Sequence, residues 1–141
     1  MVSLSSSTFI RIASVVTLLY CLGHMSGYPW TPGATLESEA VITQMRKVIF
    51  EAEGATRSYW DFYFGFGLIV GAFLGVQSFA LWGVAAIARR DARIVVPILV
   101  VFVVGFLVNA YLSSRYFFAL PAVFSLVIAA LLVAASWRAR A

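Results

Sequence analysis

The stretch Arg57–Arg93, RSYWDFYFGFGLIVGAFLGVQSFALWGVAAIARRDAR, decides the fold. It opens on a charged, aromatic rim and closes on the basic cluster RRDAR. Between Tyr59 and Ala88 the only charge is Asp61. As a helix, some 30 residues at about 1.5 Å each would run roughly 45 Å. That exceeds a hydrocarbon core of about 30 Å. The segment therefore reads as a membrane-spanning helix whose Tyr-Trp-Asp start protrudes, or which tilts.

The rest of the chain agrees with that solvent. Of its 141 residues, 62% are hydrophobic and 11% charged, and mean hydropathy is +0.96. Soluble domains carry about 25% charged residues, so this chain cannot cover itself with polar surface in water. One small domain over residues 1–141 is expected. Three more apolar runs of spanning length occur, over about 8–25, 94–112 and 116–137. The first is expected to be a retained span. No small-x-small cleavage site follows it, and Tyr20 spoils the lipoprotein-like Leu18-Leu19-Tyr20-Cys21.

Orientation follows from the distribution of Lys and Arg. Arg11, Arg89, Arg90, Arg93, Arg138 and Arg140 fall on one side with a single acid, Asp91. Arg46, Lys47, Arg57 and Arg115 fall on the other with Glu37, Glu39, Glu51, Glu53 and Asp61. Both termini and the RRDAR loop are thus expected in the cytoplasm, with the long first loop outside. The basic residues sit at segment ends and form no dense stripe, so nucleic acid is not an expected partner.

The outer loop has its own order. Tyr28-Pro-Trp-Thr-Pro-Gly33 breaks helices. Thr35 then stands as a helix cap with Glu37 and Glu39 in the first turn. Val41, Ile42, Met45, Val48, Ile49 and Ala52 recur at helical spacing, predicting an amphipathic helix over about 36–53, with Gly54 as its stop. Its mixed-sign polar face favours capping the bundle over lying on headgroups. The expected fold is an all-α membrane protein, a four-transmembrane-helix antiparallel bundle with this helix in the first outer loop.

Helices in lipid associate through close packing and polar contacts. Gly67, Gly71 and Gly75, spaced by four, form a small-residue ridge on the second span, expected to pack internally. On the first span Ser14, Thr17, Cys21 and His24 share one face, which should look inward. Gln77 should bond a neighbouring helix.

Polar groups gather at one height. His24 ends the first span; Arg57, Trp60, Asp61 and Tyr63 open the second; Asn109 and Tyr111 top the third; Arg115 precedes the fourth; Trp30 comes from the loop. Ionisable groups in membranes face protein or a wet cavity. Asp61 needs a partner: Arg57 one turn away, or His24 or Arg115 at long range. Two readings stand. These groups staple the helix tops, with the tyrosines and tryptophans as an interfacial belt. Alternatively they line a half-buried ligand pocket of His24, Trp30, Arg57, Trp60, Asp61, Tyr63, Asn109, Tyr111 and Arg115. Within such a pocket His24, the one side chain that titrates near neutrality, could work with Asp61 as an acid–base pair.

Other chemistry fails on count. One histidine and one cysteine assemble no zinc or haem site, and no cofactor is expected. HExxH, phosphate-binding glycine loops and G-x-S-x-G are missing. Polarity confined to one end argues against a permeation path.

Gly23-His24, Trp30-Thr31-Pro32 and Arg57-Ser58-Tyr59-Trp60-Asp61-Phe62-Tyr63 together resemble a family of small bacterial four-span integral membrane proteins, over nearly the whole chain. The size and span plan are also similar to the DoxX-like membrane proteins, in architecture only. The resemblance implies the four-span fold and the bacterial inner membrane, and no particular activity. The expected role is a non-enzymatic binder of a small hydrophobic or amphipathic molecule, or an accessory subunit of a membrane complex. The alternative is a small membrane enzyme acting on a lipid or quinone-like substrate through His24 and Asp61.

Overall fold

A computed structural model describes residues 4–27 and 33–140. Seven elements follow in order: α1 (Ser6–Gly27), α2 (Leu36–Lys47), β1 (Ile49–Ala52), β2 (Ala55–Ser58), α3 (Tyr59–Ala88), α4 (Val96–Tyr116) and α5 (Ala119–Arg138). The helices α1, α3, α4 and α5 are each long and apolar enough to cross a membrane. Their ends lie within a few residues of the bounds expected from hydropathy, and α3 matches them at both ends.

The chain divides into two compact units, Met1–Cys21 with Leu74–Ala141, and Leu22–Phe73. The first holds the core. Ile10 and Ala13 of α1, Leu81 and Ala85 of α3, Leu99 and Phe106 of α4, and Ile128, Leu132 and Ala135 of α5 are buried there together. Lipid offers no hydrophobic drive for helices to associate, so small side chains at the contacts let the backbones approach. Ala13, Ala85, Ala129 and Ala135 have that role. The opposite faces carry Phe79, Val101 and Leu126, all exposed on the isolated chain, as an apolar solvent requires.

Polar side chains inside this core are paired across helices. Ser14 Oγ donates to Ser78 O at 2.8 Å, and Ser78 Oγ returns the bond to Ser14 O at 2.9 Å. Thr17 Oγ1, fully buried, donates back to Ala13 O. Cys21 lies beside Gly75, its Sγ 3.8 Å from where a Cβ would stand. The inward stripe expected on α1 is therefore the face that packs. Gln77 makes no hydrogen bond among the described residues; its neighbour Ser78 supplies the interhelical bond instead. Ser78 points into the contact, and the half-buried Gln77 lies beside it.

Also in this unit, Arg11 lays its guanidinium over the Trp82 ring, 5.2 Å from the centroid. This is the aromatic and aliphatic surface along which a long cationic side chain reaches toward a polar interface.

The second unit departs from the expected all-helical plan. The helix predicted over 36–53 stops at Lys47, and residues 49–58 form a two-stranded antiparallel hairpin. Its register pairs Ile49 with Ser58, Phe50 with Arg57, Glu51 with Thr56 and Ala52 with Ala55. Glu53 and Gly54 turn the chain with φ of 49° and 78°. Two consecutive left-handed residues make the mirror-type turn that matches strand twist, and the second favours glycine. Helical spacing misled here because Val48, Ile49 and Phe50 are also strand formers, and hairpin pairing outweighed another helical turn. The start of α2 is as the sequence indicates. Thr35 Oγ1 accepts from the Ser38 amide at 3.2 Å, and Ser38 Oγ accepts from the Thr35 amide at 2.9 Å. Glu37 and Glu39 at its first turn, and Arg46 and Lys47 at its last, complement the helix dipole.

Candidate functional site

Several of the polar groups expected at the outer layer, Asp61, Arg57, His24, Trp60 and Asn109 among them, have a local structural partner. At the α2–hairpin–α3 junction, Ser58 and Asp61 form a capping box on α3. The Ser58 amide and hydroxyl donate to Asp61 Oδ2 at 2.7 and 2.9 Å, and the Asp61 amide donates to Ser58 Oγ at 3.2 Å. The carboxylate satisfies donors that have no partner inside the helix, and its charge sits at the positive end of the dipole. Asp61 thus finds its partner in Ser58, a choice not among those the sequence raised. Arg57 turns its Nη1 to Thr56 O at 2.7 Å, and no ion pair joins it to Asp61 among the described residues. Because this box starts the longest helix, Ser58→Ala should lower stability by about 1 kcal/mol. Thermal unfolding in detergent micelles measures it; an unchanged midpoint would mean the cap contributes nothing.

His24 lies in the same unit, at the end of α1. Its Nε2 stands 2.9 Å from Gly67 O on α3. A carbonyl oxygen only accepts, so Nε2 carries the proton and the ring is held against the α3 backbone. One turn on, a Cβ built at Gly71 would run into Met25 Sδ and meet His24 Cδ2 at 3.5 Å. The Gly67–Gly71 part of the ridge is therefore where the last turn of α1 lies against α3.

The aromatic residues of the rim stack on one another. Trp60 packs on Tyr63 and Phe64 with centroids 5.5 and 6.1 Å apart, and the Arg46 guanidinium lies 4.6 Å above the Trp60 ring. Phe50 of the hairpin meets Tyr59 and Phe62 at 5.0 and 5.3 Å. Tyr63 itself is half exposed.

Asn109, Tyr111 and Arg115 belong to α4 in the first unit. Asn109 Oδ1 accepts from Ser113 Oγ at 3.1 Å, and Tyr20 places its hydroxyl among Ser113, Ser125 and Asn109. The Tyr20 ring stacks on Phe124 at 5.2 Å. Tyr111 and Arg115 are exposed. Trp30 lies outside the described residues. The structure thus brings His24, Arg57, Trp60, Asp61 and Tyr63 into one unit and puts Asn109 in a polar cluster with Tyr20. The sequence reading gives Tyr20 no part beyond its misfit in a lipoprotein motif, yet a buried tyrosine usually finds a polar partner for its hydroxyl.

The second unit also has a groove lined by none of the expected pocket residues. Ala40, Val41, Gln44, Met45 and Val48 of α2 and its cap, with Tyr59 of α3, line an open groove of about 360 Å³. No charged side chain lines it. The signal was in the sequence: Val41, Met45 and Val48 belong to the apolar face whose expected use was to cap the bundle. No cluster of His, Cys, Asp or Glu capable of holding a metal occurs among the described residues.

Four helices of spanning length and composition make this a multi-pass membrane protein by fold. Comparison with models of known protein families, with curated proteins and with solved structures finds no match.

Proposed function

We propose that this chain is a non-enzymatic protein of the bacterial inner membrane that binds a small hydrophobic or amphipathic molecule on its outer side. In this reading the four spans form an antiparallel bundle with both termini cytoplasmic. The charge asymmetry between the segment ends supports that arrangement. The groove between α2 and Tyr59 carries the functional reading. Its volume lies within the range of about 300–1,000 Å³ typical of ligand sites, and the surface it presents is apolar throughout. Such a site recognises a hydrocarbon chain or ring by apolar contact.

His24 and Asp61 weigh against the enzymatic alternative. A general base must be available to take a proton from substrate. Here His24 Nε2 holds a backbone carbonyl and the Asp61 carboxylate holds a helix cap. Both fit the staple better than an acid–base pair.

Native mass spectrometry of the protein extracted from its own membrane tests the proposal. A lipophilic molecule should be retained, and Val41→Trp or Met45→Trp, which fill the groove, should reduce its retention on the order of tenfold. Equal retention in both variants would sink the groove as the site. Recovery inside a larger complex, with nothing small bound, would favour an accessory subunit.

A further inference from the structure

At one end of the first unit a cavity of about 530 Å³ opens between the start of α1, the end of α3 with its following loop, and the end of α5. Ser5 just before α1 and Ser6 and Ser7 at its start line it, with Arg89 and Ala92 from the loop after α3 and Arg138 from α5. We propose that this cavity binds a phosphate-bearing anion, with the headgroup phosphate of an anionic membrane lipid as its natural source.

The donors are arranged in a particular way. Ser5 is already committed as the helix cap: its Oγ accepts from the Thr8 amide at 3.2 Å and lies 2.8 Å from Thr8 Oγ1. Ser6 is not committed. It is 6% exposed, and its Oγ is buried with no hydrogen-bond partner among the described residues. A buried hydroxyl left unsatisfied costs about 1–3 kcal/mol. At the first helical position no intrahelical carbonyl lies one turn back to accept its proton, so the partner must come from outside the helix. The Ser6 and Ser7 amides likewise have no acceptor within the helix, and they point toward its positive end.

Charge decides what the missing group is. Arg89 and Arg138 supply two guanidinium groups, each exposed, and neither pairs with a carboxylate among the described residues. The one acid nearby in sequence, Asp91, spends its Oδ1 on the Arg93 amide at 2.9 Å and does not line the cavity. A hydroxyl, two helix-start amides and two guanidiniums belong to the lining residues, and no carboxylate side chain lines the cavity among the described residues. An acceptor-only oxyanion is the chemical complement of such donors, and Arg forks match phosphate geometry. Leu4 and Ala88 complete the lining with apolar surface suited to the glycerol and first methylenes of a lipid.

The test uses the full chain reconstituted in phosphatidylcholine nanodiscs containing a minor fraction of phosphatidylglycerol. Native mass spectrometry counts the phosphatidylglycerol retained per chain. Wild type should retain it in excess over its share of the bilayer. Arg89→Gln with Arg138→Gln should reduce that excess on the order of tenfold, and Ser6→Val should reduce it several-fold without altering charge. Arg93→Gln with Arg140→Gln removes the same charge from the same end, outside the cavity lining, and should leave it unchanged. Equal losses in both arginine pairs would show a diffuse surface attraction and overturn the site. No enrichment in wild type, together with no saturable binding of inorganic phosphate in pure phosphatidylcholine discs, would also overturn it. Saturable phosphate binding without lipid enrichment would keep the oxyanion site and assign it a soluble source. Helix content by circular dichroism checks that each variant is folded. Ser6→Val keeps the test decisive if the double arginine variant is not.

Discussion

Gly71→Leu is expected to lower stability by about 2 kcal/mol, with thermal unfolding in detergent as the measurement. The reason is spatial. A bare Cβ at this position already collides with Met25 Sδ, and His24 Cδ2 stands 3.5 Å away. Met25 is flexible at its tip, so Gly71→Ala should be absorbed by rotation of that side chain at small cost. Leucine adds a branch that rotation cannot clear. The last turn of α1 must then move off α3, which also stretches the 2.9 Å bond from His24 Nε2 to Gly67 O. Gly75 is the internal control. Its nearest neighbour beyond the helix itself, Cys21 Sγ, is at 3.8 Å, an ordinary contact. Gly75→Ala should therefore stabilise by roughly 0.5 kcal/mol, because alanine restricts the unfolded chain and fits the helix better than glycine. If the two glycines respond alike to these changes, the ridge is not where α1 packs.

The contrast between Gly71 and Gly75 marks where sequence reading stops. Spacing by four showed a small-residue ridge, and hydropathy marked the segment from about Tyr59 to Ala88 as one long apolar helix, because a membrane span must be long and continuous. Neither states which glycine is pressed against a neighbour. That depends on Met25, a residue with no pattern of its own. Asp61 shows the same limit in electrostatic form. Its position one turn after Arg57 suggested an ion pair, but the exposed arginine turned to a carbonyl and the near serine took the carboxylate. An exposed ion pair contributes little, whereas a helix start leaves amides that need an acceptor. Ser58-x-x-Asp61 is a capping-box spacing, so this outcome was legible to a reader who weighed the cap first. The hairpin was less legible. Its Glu53-Gly54 turn lies inside a run whose apolar spacing also fits a helix. The groove follows from the hairpin, since it forms where α2 ends at Lys47, capped by Val48, and the chain returns to Tyr59.

Ser78→Leu is expected to be more damaging than Ser78→Ala, and the difference identifies what holds α1 to α3 in the core unit. Ser78 is 4% exposed and Ser14 3% exposed, with their hydroxyls 3.5 Å apart and each bonded to the other's backbone carbonyl. Alanine at position 78 removes one donor. The Ser14 carbonyl keeps its own helical bond, so the loss should be near the average of about 0.6 kcal/mol for interhelical hydrogen bonds in membranes. A Ser14→Ala, Ser78→Ala double-mutant cycle should give a coupling of that size. Leucine removes the same donor and forces three further carbon atoms into a contact sized for a hydroxymethyl group. Overpacking costs about 1–3 kcal/mol, so Ser78→Leu should cost several times what Ser78→Ala does. Lipid rewards leucine on an outward face and offers nothing at a close helix contact. Should Ser78→Leu instead match Ser78→Ala in thermal unfolding, position 78 has room around it, and the reciprocal serine pair does not set the distance between the two helices.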